Sequence, residues 1–427
     1  MRQSCNAMPD ALPVSAPLSL AKDKIRILLL EGISDSAVAT LHAAGYSNIR
    51  REKKALDEAA LKEAIKGVHL LGIRSRTQVT EAVLDVADRL IAVGCFCIGT
   101  DQVDLAAARR RGIPVFNAPF SNTRSVAELV MGEVVMLLRG IPVRSNAAHQ
   151  GVWDKSAADS REVRGKTLGI VGYGNIGAQV SVLAEAFGMR VTYYDPIPKL
   201  PHGNAQSMPS LRALLAGADV VTLHVPDTHE TQNLIGAEEI ALMKPSSVLI
   251  NNARGRVVDL EAAKAGVESG HLHGLAIDVF PEEPAKNDDP FISPLQGLKN
   301  VILTPHIGGS TVEAQSRIGE ETGRKLADYS DTGATLGAVN FPEAILPARA
   351  RGARFLHVHR NHPGTLVALN EVFTRHGANI AGQYLQTDPE IGYVVVDAEG
   401  LADAHAVLLE LRALPGTVRA RLLYERV

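Results

Sequence analysis

Short apolar runs alternate with amphipathic stretches from residue 24 onward. Residues 24–30 (KIRILLL) predict a buried strand, and residues 35–44 predict a helix that ends at Gly45, a common residue just past a helix C-terminus. The same alternation predicts strands at 69–74, 90–93 and 113–116 and helices at 81–87 and 104–111. Apolar strands separated by helices indicate a parallel sheet that is covered on both faces.

A second run of this pattern follows a long apolar helix predicted over residues 122–139. The helix is too short to span a bilayer and contains Glu128 and Glu133, so we interpret it as a buried connecting or interface helix. Strands are then predicted at 168–172, 190–194, 220–224, 247–251, 274–278 and 300–304. Six strands with helical spacers predict a complete doubly wound unit.

The last block has a different order of elements. Strands are predicted at 355–359, 378–386, 392–397 and 418–423, with helices starting at Pro363 and spanning 402–411. This βαββαβ order is that of a small ferredoxin-like domain. At the other end, residues 1–21 are broken by Pro9, Pro13 and Pro17 and have no continuous apolar core, which predicts a disordered tail rather than a secretion signal.

The composition argues against proteins that bind nucleic acid, membranes or metal ions. The 427 residues include 44 basic and 47 acidic side chains, and the net charge of −3 provides no overall field for nucleic acid or for an anionic membrane. The three cysteines, Cys5, Cys95 and Cys97, lack the spacing of a metal site and indicate reduced thiols. We therefore expect a cytoplasmic protein with no metal, nucleic-acid partner or membrane span.

A glycine-rich loop joins the strand at 168–172 to the next helix, and its residues are Gly172, Gly174, Asn175, Ile176 and Gly177. Glycines at this spacing allow a tight turn, close approach of a pyrophosphate and close helix packing, while the helix start offers free amides. Asp195 follows 18 positions after Gly177 (195 − 177), where an acidic residue can bind the ribose hydroxyls of NAD. Its carboxylate would repel the 2′-phosphate of NADP by about 4 kcal/mol at a dielectric near 20. The pattern predicts an NAD site.

Three polar residues follow strand ends in the second unit. Arg254, Glu283 and His306 should meet at the carboxyl edge of the sheet, where doubly wound folds bind ligands. Arg254 can bind a carboxylate through two hydrogen bonds, and His306 can exchange a proton with a hydroxyl. A glutamate could orient the imidazole, but Glu282 is adjacent to Glu283, and the spacing does not distinguish them.

Longer segments carry a family resemblance. Residues 252–259, 278–284 and 304–310, supported by 72–77, 94–104 and 116–128, resemble the signatures of the D-isomer-specific 2-hydroxyacid dehydrogenases, and residues 352–427 resemble a regulatory ACT domain. The similarity covers about residues 22–425. It implies a catalytic set of Arg254, Glu283 and His306, with Glu283 selected by the Glu-Pro pair at 283–284, and it places Asp278 and Ala253 at the nicotinamide. Asn252-Ala253 departs from the family pattern, and we expect only subtle effects on nicotinamide contacts.

The resemblance also implies a domain organisation and an activity. An NAD-binding Rossmann domain (122–309) is inserted into a flavodoxin-like substrate-binding domain (22–121 and 310–345), and an ACT domain (352–427) follows. A cleft between the first two domains is expected to bind the substrate. Arg74, Ser75 and Arg76 are expected to bind a phosphate, so the implied reaction is NAD-dependent oxidation of D-3-phosphoglycerate to 3-phosphohydroxypyruvate, the first step of L-serine biosynthesis.

Two alternatives remain open at this point. The substrate could be another D-2-hydroxy acid, such as 2-hydroxyglutarate or the glyoxylate and hydroxypyruvate pair, or the protein could be a non-enzymatic NADH sensor. The full Arg–Glu–His set favours an enzyme. The ACT resemblance further implies feedback inhibition by L-serine, bound by His359, Asn361 and Asn379 between paired ACT domains of a homotetramer.

Overall fold

The computed structural model describes residues 21–284, 289–347 and 352–423. The predicted disordered tail therefore lies outside the described residues, apart from Ala21. The chain divides into two compact units, which we call the first unit (residues 1–119 and 316–427) and the second unit (residues 120–315). The domain boundaries given above remain predictions.

The first unit contains a five-stranded parallel sheet. Its strands are β1 (Ile27–Leu29), β2 (Ile49–Arg51), β3 (Leu70–Ile73), β4 (Ala92–Cys95) and β5 (Val115–Phe116), with helices α1 (Asp35–Ala43), α2 (Glu58–Ala64), α3 (Glu81–Leu84) and α4 (Leu105–Arg110). The strand order β2-β1-β3-β4-β5 is the flavodoxin-like order that we predicted. The sequence did not reveal β2, because this short edge strand is largely exposed and carries two arginines.

The second unit begins with the predicted apolar helix. Its elements are α5 (Thr123–Leu138), α6 (Ile141–His149), β6 (Thr167–Val171), α7 (Asn175–Ala186), β7 (Arg190–Tyr194), β8 (Gln206–Ser207), α8 (Leu211–Gly217), β9 (Val220–Leu223), α9 (Ala237–Leu242), β10 (Ser247–Asn251), α10 (Leu260–Glu268), β11 (Leu272–Ile277) and β12 (Val301–Leu303). All strand pairs are parallel, in the order β12-β11-β10-β9-β6-β7-β8. The six predicted strands are present, and the two-residue β8 adds a seventh at the edge of this doubly wound sheet.

The C-terminal block follows α11 (Val312–Thr332). It contains β13 (Ala353–Arg360), α12 (Thr365–Arg375), β14 (Asn379–Thr387), β15 (Ile391–Glu399), α13 (Ala404–Ala413) and β16 (Thr417–Leu423). The antiparallel order β14-β15-β13-β16, with this succession of elements, confirms the predicted ferredoxin-like fold. Short 3-10 helices occur at Lys22–Lys24, His229–Thr231 and Gly255–Val257.

Burial explains why these elements form. Strand β6 and strand β10 are buried along their whole length, as expected for strands of a parallel sheet covered on both faces. Helix α5 buries ten of its sixteen residues, which confirms that it is a buried helix. In the part of the chain that the structure describes, no helix is both long and apolar enough to cross a membrane.

Candidate active site

The glycine-rich loop has the space that a bound pyrophosphate requires. Gly172 has a φ of +88°, and a Cβ there would lie 2.4 Å from the carbonyl oxygen of His224. A Cβ on Gly177 would lie 2.3 Å from the carbonyl oxygen of Gly172, so this glycine allows α7 to pack against β6. By contrast, no atom lies within 4 Å of a Cβ built on Gly174, which leaves the approach to the start of α7 open. These features fit a dinucleotide loop.

Asp195 lies beside this loop, at the end of β7. Its Oδ2 accepts a hydrogen bond of 2.9 Å from the amide of Tyr173, and its Oδ1 accepts one of 2.9 Å from the amide of Ile197. The carboxylate is partly exposed, and Asn175 and Ile176 begin α7 next to it. The structure therefore brings the predicted ribose-binding acid to the predicted pyrophosphate loop.

His306 and Glu283 form a hydrogen-bonded pair. Nδ1 of His306 lies 2.9 Å from Oε2 of Glu283, and since a carboxylate only accepts, the imidazole donates from Nδ1. Oε1 of Glu283 accepts a hydrogen bond of 3.2 Å from the amide of Phe280. Both adjacent glutamates are exposed, and Glu283 is the one whose carboxylate contacts the imidazole.

The pair shifts the pKa values of both groups. The hydrogen bond to Glu283 raises the pKa of His306, and partial burial opposes this only in part. Burial alone would raise the pKa of Glu283, but the hydrogen bond and positive charge of His306 outweigh it and lower that pKa. The result is a carboxylate that stays ionised and a histidine that holds its proton more strongly than usual.

Arg254 lines the same pocket as this pair. The pocket has a volume of about 250 Å³, and Arg254, Glu283 and His306 all contribute to its wall. Nη1 of Arg254 donates to the carbonyl oxygen of Ala253 (2.7 Å), and a Cβ on Gly255 would lie 2.0 Å from the carbonyl carbon of Phe280. Glycine at 255 therefore allows the chain after Arg254 to pass against the backbone of Phe280. The three residues that the sequence singled out converge on one pocket.

Asp278 anchors the loop that carries His306. Its carboxylate accepts hydrogen bonds from the Thr304 hydroxyl (2.6 Å) and from the amides of Ile307 (2.8 Å) and Gly308 (2.8 Å). Its carbonyl oxygen also accepts from the amide of His306 (2.8 Å). His306 has a φ of +54°, in the left-handed region that costs a non-glycine residue about 1–2 kcal/mol. Sequence reasoning assigned Asp278 to nicotinamide only and missed this anchoring contact.

The proposed phosphate residues lie in the first unit, after β3. Arg74 is partly exposed, and Ser75 and Arg76 are exposed. The amides of Arg74 and Arg76 donate to the two carboxylate oxygens of Glu31, at 3.1 and 3.0 Å. Sequence reasoning missed Glu31, although its place two residues after the end of β1, at the same edge of the sheet, was a usable signal.

The three predicted effector residues do not converge within one chain. His359 is buried against Gly392, and the Asn361 amide donates to the carbonyl oxygen of Asp388 (2.8 Å) at the same end of the sheet. Asn379, however, pairs with Glu399 of β15. His359 pairs with Gly392 of the same strand, which is seven positions from Glu399. At roughly 3.3 Å per strand residue, the two ends are about 23 Å apart.

The NAD-site and ACT-type patterns are matched by family models. Residues 131–308 match the NAD-binding domain of the D-isomer-specific 2-hydroxyacid dehydrogenases, and residues 355–419 match an ACT domain like that of the AHAS small subunit. The chain is also similar to the solved structure of D-2-hydroxyisocaproate dehydrogenase, with a TM-score of 0.67 and 27% identity over 74% of this chain and all of that one.

Two curated relatives are similar along nearly their entire length. D-3-phosphoglycerate dehydrogenase of Escherichia coli K12 is 58% identical over 96% of this chain and 100% of that protein. The protein of the same name from Haemophilus influenzae is 57% identical over 95% of this chain and 99% of its own. The chain therefore belongs to the D-3-phosphoglycerate dehydrogenase family of NAD-dependent D-isomer-specific 2-hydroxyacid dehydrogenases, and it carries a C-terminal ACT domain.

Proposed function

We propose that the protein oxidises D-3-phosphoglycerate to 3-phosphohydroxypyruvate with NAD. The observation that carries this proposal is the convergence of Arg254, Glu283 and His306 on one pocket, in the same unit as the NAD-type loop. The names of the two relatives support the choice of substrate.

Each of the three pocket residues has a separate role in the proposed reaction. Arg254 binds the substrate carboxylate and so fixes the neighbouring C2 carbon. Nδ1 of His306 is occupied by Glu283, so Nε2 takes the C2 hydroxyl proton, and the Glu283 carboxylate stabilises the imidazolium that forms. NAD, which the glycine-rich loop and Asp195 would hold, would supply the acceptor for the hydride that leaves C2. In the reverse direction, His306 returns the proton to the keto oxygen.

Glu283→Gln is expected to move the pH profile. Oxidation requires His306 without its extra proton, so kcat/KM should fall as the pH falls below the His306 pKa. Because the Glu283 hydrogen bond is the main cause that raises this pKa, the variant's acid limb should move to lower pH, and kcat should fall roughly 10- to 100-fold. The measurement is kcat/KM against pH, with Glu282→Gln as the matched control. An acid limb that stays in place in Glu283→Gln would contradict the assignment.

Asp195→Asn should relax the preference for NAD. The substitution removes the charge and keeps an oxygen that can accept a backbone hydrogen bond. Because the carboxylate is partly exposed, a dielectric near 40 is appropriate, and the repulsion of a 2′-phosphate at ~4 Å is then about 2 kcal/mol, or roughly 30-fold. We expect the NAD-to-NADP ratio of kcat/KM to fall by this factor, and to stay unchanged in the exposed control Asp154→Asn. An unaltered ratio in Asp195→Asn would remove this residue from the ribose site.

Arg74, Ser75 and Arg76 are proposed to bind the substrate phosphate, since guanidinium groups bind phosphate through paired hydrogen bonds. The test compares reduction of 3-phosphohydroxypyruvate, hydroxypyruvate and 2-oxoglutarate by NADH. The phosphorylated acid should have the highest kcat/KM, and Arg74→Ala and Arg76→Ala should remove that advantage, while Arg50→Ala should not. If the wild-type enzyme prefers an unphosphorylated acid, the choice of substrate is wrong.

Regulation by L-serine is part of the same proposal. His359 and Asn361 at one end of the ACT sheet, and Asn379 of a second copy at the other, would together bind the zwitterion between paired ACT domains of a homotetramer working in the cytoplasm. Asn379 lies at the start of the edge strand β14 and is exposed, which supports a shared site. Serine should inhibit the wild-type enzyme and fail to inhibit Asn361→Ala or Asn379→Ala. If serine inhibits both variants as strongly as it inhibits the wild-type enzyme, this site is refuted.

A further inference from the structure

A carboxyl group that the proposed reaction does not use lies buried in the second unit. Glu133 is on α5, between core residues Val130 and Val134, and is 0% exposed. Its Oε2 accepts a hydrogen bond of 2.8 Å from Nδ2 of Asn252. Within the described residues, the structure gives Glu133 no ion pair with a cation. A buried carboxylate without a cation is costly, which favours the neutral acid.

Two oxygen atoms of this pair lack a partner. Oε1 of Glu133 and Oδ1 of Asn252 are buried, and neither has a hydrogen bond among the described residues. If Glu133 were ionised, both oxygens would be acceptors without a donor. Each of them would then lower the stability of the fold by about 1–3 kcal/mol. A proton on Oε1 would give both atoms a partner, because a carboxylic acid and a primary amide can exchange two hydrogen bonds: N–H to one oxygen and O–H to the other.

The surroundings of Glu133 favour the protonated form of its carboxyl group. Burial raises the pKa of Glu133 to about 8, the Asn252 hydrogen bond opposes the rise, and the negative charge of Asp278 adds to it. Asp278 follows β11, and Asn252, which is neutral, follows β10. The α7 residues of the same core cluster, Val180 and Ala184, are apolar. His273 of β11 also contacts α5, at the backbone of Leu137, but burial lowers its pKa, so among the described residues of these elements it provides no cation that would stabilise the ionised form.

We propose that Glu133 is protonated at neutral pH and forms a two-bond acid–amide pair with Asn252 that positions the segment carrying Arg254. Asn252 is also one of the two positions at which this chain departs from the family pattern. Asn251 holds the other side of the segment, since its Nδ2 donates to the Arg254 carbonyl oxygen (2.9 Å) and its Oδ1 accepts from the Ala253 amide (3.1 Å). Glu133 is thus a positioning residue, and its kinetic effect rests on the proposed function of Arg254.

Glu133→Gln is the informative variant. A glutamine amide can donate to Oδ1 and accept from Nδ2 of Asn252, so it keeps both bonds but cannot ionise. We expect KM for D-3-phosphoglycerate within about twofold of the wild-type value in Glu133→Gln, and about tenfold higher in Asn252→Ala, because the carboxylate-binding arginine shifts. Unchanged KM in Asn252→Ala would overturn the positioning role.

Thermal unfolding tests the protonation state of Glu133 without any substrate. A group whose folded pKa is raised from 4.5 to about 8 contributes stability that is fully present below 4.5 and is lost as the pH rises through 8. The Tm of the wild-type protein should therefore fall relative to that of Glu133→Gln between about pH 5 and 8. Parallel curves for the two proteins would overturn the proposal.

Infrared spectroscopy provides a direct readout. The wild-type protein at pH 7 should show the C=O stretch of a protonated carboxyl, and this band should be absent from Glu133→Gln and should disappear at alkaline pH. Absence of the band from the wild-type protein at pH 7 would overturn the acid–amide pair. If the enzyme fails to oxidise D-3-phosphoglycerate, the proposed function fails, but the unfolding and infrared results still decide the protonation state of Glu133.

Discussion

Replacing His306 by asparagine is expected to lower kcat by about 10²–10⁴-fold, the range of general acid–base assistance, while leaving the Kd for NADH nearly unchanged. In the proposed reaction the imidazole accepts the C2 proton at Nε2, since its Nδ1 is occupied by Glu283. Asparagine cannot act as a base at accessible pH, so the proton has no acceptor.

Asparagine is the appropriate substitute because of the backbone. His306 has a φ of +54°, and asparagine tolerates this left-handed region better than most residues do. The Asp278 contacts to the loop use the backbone amides of residues 306–308 and the Thr304 hydroxyl, so they should persist in the variant. His149→Asn, at the exposed end of α6, is the matched control and should keep full turnover. Loss of NADH binding in His306→Asn would show that His306 belongs to the cofactor site instead.

Replacing Arg254 by alanine should cost about 2–5 kcal/mol of transition-state binding, or roughly 30- to several-thousand-fold in kcat/KM. The guanidinium lies in the wall of the pocket with His306 and Glu283, and a substrate carboxylate placed there would lose its partner. Arg254→Lys should recover only part of the loss, because an ammonium keeps the charge but not the paired hydrogen bonds.

The kinetic pattern distinguishes this role from a general loss of structure. If Arg254 binds the carboxylate, the alanine variant should show a raised KM for the hydroxy acid with an unchanged Kd for NADH. Arg212→Lys and Arg212→Ala, on the exposed side of α8, provide matched controls that should behave as the wild-type enzyme does. An alanine variant with a normal KM would assign the carboxylate to another residue.

Local patterns in the sequence predicted the cofactor loop well. Gly172, Gly174 and Gly177 act through the backbone of their own turn, so strand, loop and helix could be recognised within about 30 residues. The convergence of Arg254 and His306 was also predicted from local patterns, because both residues follow parallel strands and such strands end at the same edge of the sheet. The choice of Glu283 over Glu282 came from the family resemblance, because the spacing could not distinguish two adjacent side chains.

Contacts between distant segments could not be predicted. Glu133 contacts Asn252 across 119 residues, and Glu31 holds the amides of Arg74 and Arg76 from more than 40 residues away. On the sequence, Glu133 was a charge that argued against a membrane helix. Only the packing of α5 in the doubly wound unit shows that its carboxyl is fully buried and contacts the segment before Arg254.

The central claim, oxidation of a phosphorylated D-2-hydroxy acid in the Arg254–Glu283–His306 pocket, is tested most directly by NADH formation from NAD and D-3-phosphoglycerate at alkaline pH. We predict steady NADH formation with a kcat/KM at least about 10²-fold above that for D-glycerate, which lacks the phosphate, as expected when a site loses a partner that it is built to bind. No NADH from D-3-phosphoglycerate, with oxidation of an unphosphorylated D-2-hydroxy acid instead, would contradict the proposed substrate.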